Sequence, residues 1–294
     1  MPRMASAYAT HLGRAFNGDA LKVLATVPDS SVALVMTSPP FALRRQKAYG
    51  NVTANEYIEW FLPFTEQIHR ILRDDGSFVM DLGGAWNAGG TRSLFPYELI
   101  LRLGKTFHLA QDFYWYNPSR LPTPAEWVTI RRTRVKDAVT TLWWLSKSAE
   151  PQADNRQVLK PYSKSMKRLL KDGYKTARRP SQHDIGPHFQ RDNGGAIPPN
   201  LLTIPNTRSA ESYLVKCKEA GLLIHPARFP PEVPEFFIRF LTQPGQTVLD
   251  PFAGSNTTGW VAETLKRKWI SIEINADYVA GSRMRFSEDM LRAA

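Results

Sequence analysis

Both ends of the chain alternate short apolar runs with longer stretches of helical spacing, the pattern of a mostly parallel sheet with helices on its faces. Val32-Ala33-Leu34-Val35-Met36 is a continuous apolar run of buried-strand length. It runs into Thr37-Ser38-Pro39-Pro40, where the second proline forbids continuation as a central strand, so this motif is expected at a strand's C-terminal end. Ile58, Phe61, Leu62, Thr65, Ile68, Ile71 and Leu72 fall near helical spacing. Asp74-Asp75-Gly76 predicts the stop of that helix before a second strand, Ser77-Phe78-Val79-Met80, which ends at Asp81. A helix around Pro96 to Lys105 and strands at Asp112 to Tyr116 and Thr140 to Ser146 complete the first half. Regular patterning resumes with a helix near Glu232 to Leu241 and the strand Thr247-Val248-Leu249. A helix from about Asn256 to Arg267 and the strand Trp269-Ile270-Ser271-Ile272 follow, with Glu273 at its end.

Between Pro151 and Tyr213 the periodicity lapses and Pro, Gly, Asn and basic residues gather, as in a loop-rich insertion. The expected organisation is one α/β body in two sequence halves, 1–150 and 216–294, with an inserted lobe at 151–215. A length of 294 residues suffices for this, and 43% hydrophobic residues argue against disorder. No apolar run approaches the roughly 18 residues of a membrane span. The start, Met1-Pro2-Arg3-Met4-Ala5-Ser6, lacks the apolar core of a secretory signal, and a lone Cys217 excludes an intramolecular disulfide framework, so a reducing cytoplasm is expected. The net charge of +11 favours a polyanionic partner, although a basic, solvated surface has the same composition.

The loop Asp250-Pro251-Phe252-Ala253-Gly254-Ser255-Asn256-Thr257-Thr258-Gly259 lies between a strand and a helix, where α/β sheets place ligands. Gly254 and Gly259 have P-loop spacing, but Trp260 and Val261 stand where that motif needs Lys and Ser or Thr, so a triphosphatase is not expected. The three glycines of a dinucleotide fingerprint are also lacking. What remains is a cofactor without a pyrophosphate. Asp250 and Glu273, at the ends of successive strands, can accept hydrogen bonds from a cationic amino acid and a ribose, the two needs of S-adenosylmethionine.

Pro39 and Pro40 stiffen the other loop and remove two N–H donors, leaving acceptors that suit an exocyclic amino group. The lone pair of such a nitrogen in cytosine is delocalised into the ring, and fixed acceptors such as the Ser38 hydroxyl and the Pro39 carbonyl can draw its hydrogens out of plane. Phe41 is placed to stack on a flipped base, and Asp81 to hydrogen-bond Ser38 and take up a proton late in the reaction. Alone, Ser-Pro-Pro reads as a simple loop; its place at a strand end, with a cofactor loop on the same sheet, gives it meaning.

Together these motifs resemble the DNA amino-methyltransferases of the cytosine-N4 type, over nearly the whole chain. The resemblance rests on Thr37-Ser38-Pro39-Pro40-Phe41-Ala42-Leu43 with Tyr49-Gly50-Asn51, and on Asp112-Phe113-Tyr114-Trp115-Tyr116-Asn117-Pro118-Ser119. It extends through Asn193-Gly194-Gly195 before Ile197-Pro198-Pro199-Asn200, through His225-Pro226-Ala227-Arg228-Phe229-Pro230, and through Ser255-Asn256-Thr257-Thr258-Gly259. It implies a Rossmann-like S-adenosylmethionine-dependent methyltransferase fold in the permuted (beta) order: catalytic half, target-recognition insertion, cofactor half. It further implies cofactor contacts from Asp19, Pro251, Phe252, Gly254, Ser255, Asn256 and Thr257, with Glu273 on the ribose and Phe229 at the methionine end. Asp19 reads equally as a helix N-cap. Asn256 departs from the many relatives with Gly there, but Asn tolerates a left-handed backbone.

The activity implied is methylation of cytosine N4 in a short palindromic duplex sequence, with base flipping. Adenine N6 is the first alternative, since adenine enzymes usually carry Asp or Asn in place of Ser38, and a catalytically silent DNA-binding protein is the second. Carbon-five methylation needs a nucleophilic Cys, which Cys217 between Lys216 and Lys218 does not supply. Duplex DNA is the expected partner, gripped by Lys164, Lys167 and Lys171, read by His183 and Arg191, and held beside the flipped base by Arg44 and Arg45. A solvated basic helix is the plainer reading of the lysines. Either a restriction–modification system, with an endonuclease acting on the same site, or an orphan epigenetic modifier is expected, as a monomer or weak homodimer associated with the nucleoid. No second His or Cys lies near His225 at metal spacing, so no metal is expected.

Overall fold

The computed structural model describes residues 5–42, 52–87, 89–173, 191–207 and 211–292. The chain divides into two compact units, 154–199 and the remainder. The larger unit is built on a nine-stranded sheet ordered β1-β2-β9-β8-β3-β4-β6-β5-β7. Its strands are β1 (Tyr8–Ala9), β2 (Gly13–Asn17), β3 (Val32–Thr37), β4 (Leu72–Leu82), β5 (His108–Tyr116), β6 (Val139–Ser146), β7 (Leu201–Thr203), β8 (Thr247–Asp250) and β9 (Lys268–Glu273). The pairs β2–β9, β9–β8, β8–β3, β3–β4 and β5–β7 are parallel, whereas β6 runs antiparallel to both β4 and β5. This is the mixed α/β fold expected of the family.

All six residues of β3 are buried because the strand lies centrally with a covered face on each side. One face packs Val35, Phe78 and Met80 against Leu24 of α1 (Ala20–Leu24), Phe61 and Ile68 of α2 (Tyr57–Ile71) and Leu99 of α3 (Phe95–Leu103). The other packs Leu34, Met36 and Val79 against Val233, Phe237 and Ile238 of α6 (Glu232–Leu241) and Val261 of α7 (Thr257–Thr264). Trp143 and Trp144, adjacent in β6, therefore join opposite cores.

Most expected elements are present, with three differences of physical interest. The Asp74-Asp75-Gly76 turn is absorbed into β4 as an irregularity: Val32 pairs with Leu72 and Leu34 with Ser77, while Arg73 and Asp75 close on each other at 2.9 and 2.8 Å. Helix α7 stops at Thr264 because Lys266 turns left-handed, with φ of 60°. The apolar spacing carries no sign of β1, β2 or β7, which are short, with β2 and β7 paired to strands distant in sequence, nor of α5 (Ser212–Glu219), whose Cys217 is fully buried. Helix α8 (Ala276–Ser282) and the short α9 (Glu288–Arg292) close the chain.

The smaller unit contains a 3-10 turn at Asn155–Val158 and helix α4 (Lys164–Asp172). Ser163 caps α4 by accepting from Met166 N at 3.2 Å. Lys160 and Ala196 exchange two backbone hydrogen bonds, 2.9 and 2.8 Å long, that tie the unit's ends together. Among the described residues no helix is long and apolar enough to cross a membrane.

Candidate active site

Four neighbouring parallel strands deliver their C-terminal ends to one cavity of about 420 Å³. Gly18, Asp19 and Ala20 follow β2, Ser38 to Phe41 follow β3, Pro251 and Phe252 follow β8, and Glu273 ends β9 with Ile274 just beyond it; Val52, Trp60, Phe64, His225 and Ala227 complete the lining. The strand order reverses between β8 and β3, since β9 and β2 lie to one side and β4 to the other, which is where open α/β sheets bind ligands.

The β8 loop is bent to leave room. Gly254 has φ of 51°, and a Cβ there would lie 3.1 Å from the His225 ring. The Gly254 N–H donates to Glu273 Oε2 at 2.9 Å and the Asn275 N–H to Oε1 at 2.9 Å, so β9 holds the loop across the strand ends. Burial pushes the Glu273 carboxyl above its ordinary range. Asp19 caps α1, accepting from Leu21 N at 2.8 Å and Lys22 N at 3.2 Å, and it also lines the cavity; both readings of this residue coexist. Phe252 packs 5.0 Å from Phe64 and 5.8 Å from Trp60, centroid to centroid, giving an aromatic wall. A carboxylate pair, a glycine cradle and an aromatic wall fit S-adenosylmethionine.

Asp250 lies behind the loop. Its Oδ1 accepts from Thr37 Oγ1 at 2.7 Å and from Phe252 N at 3.1 Å, and its Oδ2 from Thr258 Oγ1 at 2.9 Å. Burial raises this carboxyl to about 6 in spite of the three donors, and the Glu273 charge adds to the rise. Asp250 thus shapes the loop from beneath and is not part of the cavity lining.

Asn256 takes the left-handed backbone, φ of 53°, and turns its side chain into the core. Its Oδ1 accepts from Ser271 Oγ at 2.6 Å and from Gly259 N at 3.1 Å, and its Nδ2 donates to the Tyr8 hydroxyl at 2.9 Å. Ser255 and Thr257 are likewise buried and within 3.2 Å of each other through their hydroxyls. These three residues build the loop; their side chains do not line the cavity.

In the loop after β3, the Ser38 hydroxyl donates to Asp81 Oδ2 at 3.2 Å. Asp81 is 3% exposed, and its Oδ1 has no partner among the described residues. Burial raises its carboxyl to about 7, while the Ser38 bond and the Arg120 charge pull the other way. The Phe41 ring packs so closely on Gly83 that a Cβ there would lie 2.4 Å from it.

The chain matches the DNA methylase family model over residues 32–284. It belongs to the DNA methylase family. This methylase is 52% identical to the type II methyltransferase M.PvuII of Proteus hauseri over 289 residues, covering 96% of its own chain and 86% of the relative. A solved structure of the cytosine-N4-specific PvuII DNA methyltransferase superposes with a TM-score of 0.79 and 46% identity, covering 97% and 89% of the two chains. The Thermus thermophilus protein TTHA0409, solved in complex with S-adenosyl-L-methionine, shares the fold at 22% identity and a TM-score of 0.59, with 95% of each chain covered.

Of the other residues singled out in this methylase, Phe229 packs with the Phe237 core cluster and does not line the cavity; His225 and Ala227, from the same segment, do. Trp60 and Phe64 are not foreseen from the sequence, because on α2 their spacing is that of any core face. Lys164, Lys167 and Lys171 are exposed on α4, and Arg191 is exposed in the same unit. Arg44, Arg45 and His183 lie outside the described residues. Among the described residues no cluster of His, Cys, Asp and Glu has the geometry to hold a metal ion.

Proposed function

We propose that this methylase transfers a methyl group from S-adenosylmethionine to the exocyclic N4 of cytosine, flipped out of a short palindromic duplex sequence. The observation that carries this reading is the Ser38–Asp81 hydrogen bond on the wall of a cavity that Glu273 and Asp19 also line. When bound, the cofactor supplies an electrophilic methyl group. Because the Ser38 hydrogen is committed to Asp81, the hydroxyl lone pairs are left to accept from the amino group. With the Pro39 carbonyl as second acceptor, the N4 hydrogens are drawn from the ring plane and the lone pair is freed for attack. The N4–methyl bond forms as the sulfur–methyl bond breaks, and Asp81, whose pKa is near neutrality, takes the N4 proton. Phe41 stacks on the flipped base, Glu273 holds the ribose and Asp19 lies by the adenine.

Cytosine is favoured over adenine by Ser38 and by the 46% identity to the cytosine-N4-specific PvuII DNA methyltransferase. In the type II setting of its relative, the chain protects DNA from an endonuclease that cuts the same site. Mass spectrometry of nucleosides from DNA of expressing cells tests the reading: N4-methylcytosine is expected, and N6-methyladenine or 5-methylcytosine as the main product would refute it.

A further inference from the structure

The link between β5 and β6 leaves and re-enters the sheet at the strand ends that carry Asp81. Within 118–137 it holds Arg120, Arg131, Arg132, Arg134 and Lys136 against Glu126 and Asp137. Both carboxylates are already engaged: Glu126 pairs with Arg131 at 2.7 Å, and Asp137 with Arg92 from the loop after β4. Arg120, Arg132, Arg134 and Lys136 have no carboxylate partner among the described residues. Their mutual repulsion is relieved by an arriving polyanion.

This arm is fastened in place. The Trp127 ring covers Gly90, where a Cβ would lie 2.3 Å from it, and the Arg131 guanidinium sits 4.5 Å from the Trp127 ring centroid. Thr133 N and Arg134 N both donate to the Trp127 carbonyl, at 2.9 and 3.1 Å, and Asp137 N donates to the Thr123 carbonyl at 2.9 Å. Glu126–Ile130 is a π-helical turn, and Arg132 has φ of 54°. Both are uncommon backbone states that gather at binding sites. Leu121, Ile130 and Val135 are 75, 70 and 87% exposed among the cations, a mixture suited to sugars and base edges beside phosphates. At the arm's root, Arg120 is near enough for its charge to act on Asp81.

We propose that residues 118–136 are a second DNA-gripping element, in which Arg132 and Arg134 contact phosphates beside the target base, separately from the 154–199 unit. This rests on duplex DNA as the substrate. Holding charged groups in a fixed backbone lowers the entropy cost of binding.

The test uses the full chain, Arg132→Ala/Arg134→Ala, and binding to a defined duplex over a range of salt. The expected result is a log–log salt slope shallower by roughly 1.8, at about 0.9 for each phosphate no longer neutralised, equal on target and non-target DNA. Affinity for S-adenosylmethionine stays at the wild-type value. Lys105→Ala, exposed at the opposite end of β5, should leave the slope as it is. A wild-type slope in the double variant would overturn the proposal; an accompanying shift in sedimentation would reassign the arm to self-association. The readout is binding, so a wild-type protein that binds DNA but yields no N4-methylcytosine would sink the reading of the reaction and leave the arm intact.

Discussion

Thr37 and Asp250, 213 positions apart in the sequence, are joined by a 2.7 Å hydrogen bond between the C-terminal ends of β3 and β8. One strand leads into the loop proposed to hold the target base and the other into the loop proposed to hold the cofactor. The bond ties the two strand ends together, and both residues are buried from water.

Thr37→Val keeps the shape of that pairing but removes a donor from a buried carboxylate. A loss of about 1–3 kcal/mol in urea unfolding is expected, with weaker cofactor binding by calorimetry. The loss should be greater at about pH 8 than at about pH 5, because the bond supports the ionised form of Asp250, whose pKa is about 6. Equal losses at both pH values would show that Asp250 is not the partner that matters.

Asp81 gives a second pH signature. Its folded pKa of about 7 lies above the ordinary 3.8, so the folded chain keeps a proton that the unfolded chain has released. Stability from this group therefore falls as pH rises from about 4 to about 7, with a slope of at most about 1.4 kcal/mol per pH unit. Asp81→Asn should abolish that slope and gain stability over wild type at about pH 8. In single-turnover assays the wild-type rate should climb through about pH 7, whereas Asp81→Asn should be slower by about tenfold or more and flat.

Ser38→Ala removes the oriented acceptor while leaving the cavity walls in place. Methyl transfer should slow by about a hundredfold, with cofactor and DNA affinities within about twofold of wild type. Matched losses in DNA affinity and in rate would assign Ser38 to binding instead.

Asn256 separates backbone from side-chain demands. Asn256→Ala loses the α7 cap and leaves Ser271 and Tyr8 short of a partner, and it also strains a left-handed residue. Asn256→Gly loses the same hydrogen bonds but none of the backbone freedom. The alanine variant should thus be less stable than the glycine variant by about 1–2 kcal/mol in chemical denaturation. Equal stabilities would mean that the left-handed turn carries no strain.

Neutralising Lys164, Lys167 and Lys171 on α4 should weaken binding to all DNA alike and flatten the salt slope by about 0.9 for each phosphate that goes without its lysine. Arg191→Ala should instead narrow the gap between target and non-target DNA by about 1–3 kcal/mol if it reads a base. An unchanged slope in the triple variant would remove α4 from the DNA interface.

Elements whose burial is written in a local window are legible in the sequence. The six buried residues of β3, the apolar face of Glu232–Leu241 and the short β8 and β9 are each visible in apolar spacing, and the two loops that follow β3 and β8 are visible in their prolines and glycines. Local spacing cannot report what meets across the fold. Long-range packing turns Asp250 to Thr37 and Thr258, sets Asn256 against Tyr8, and makes Trp60 and Phe64 a wall of the cavity while Phe229 packs elsewhere. A strand's side-chain alternation fixes only which face a residue occupies. Its neighbours are set by sheet order, and in this sheet β8 sits beside β3, which brings Asp250 against Thr37.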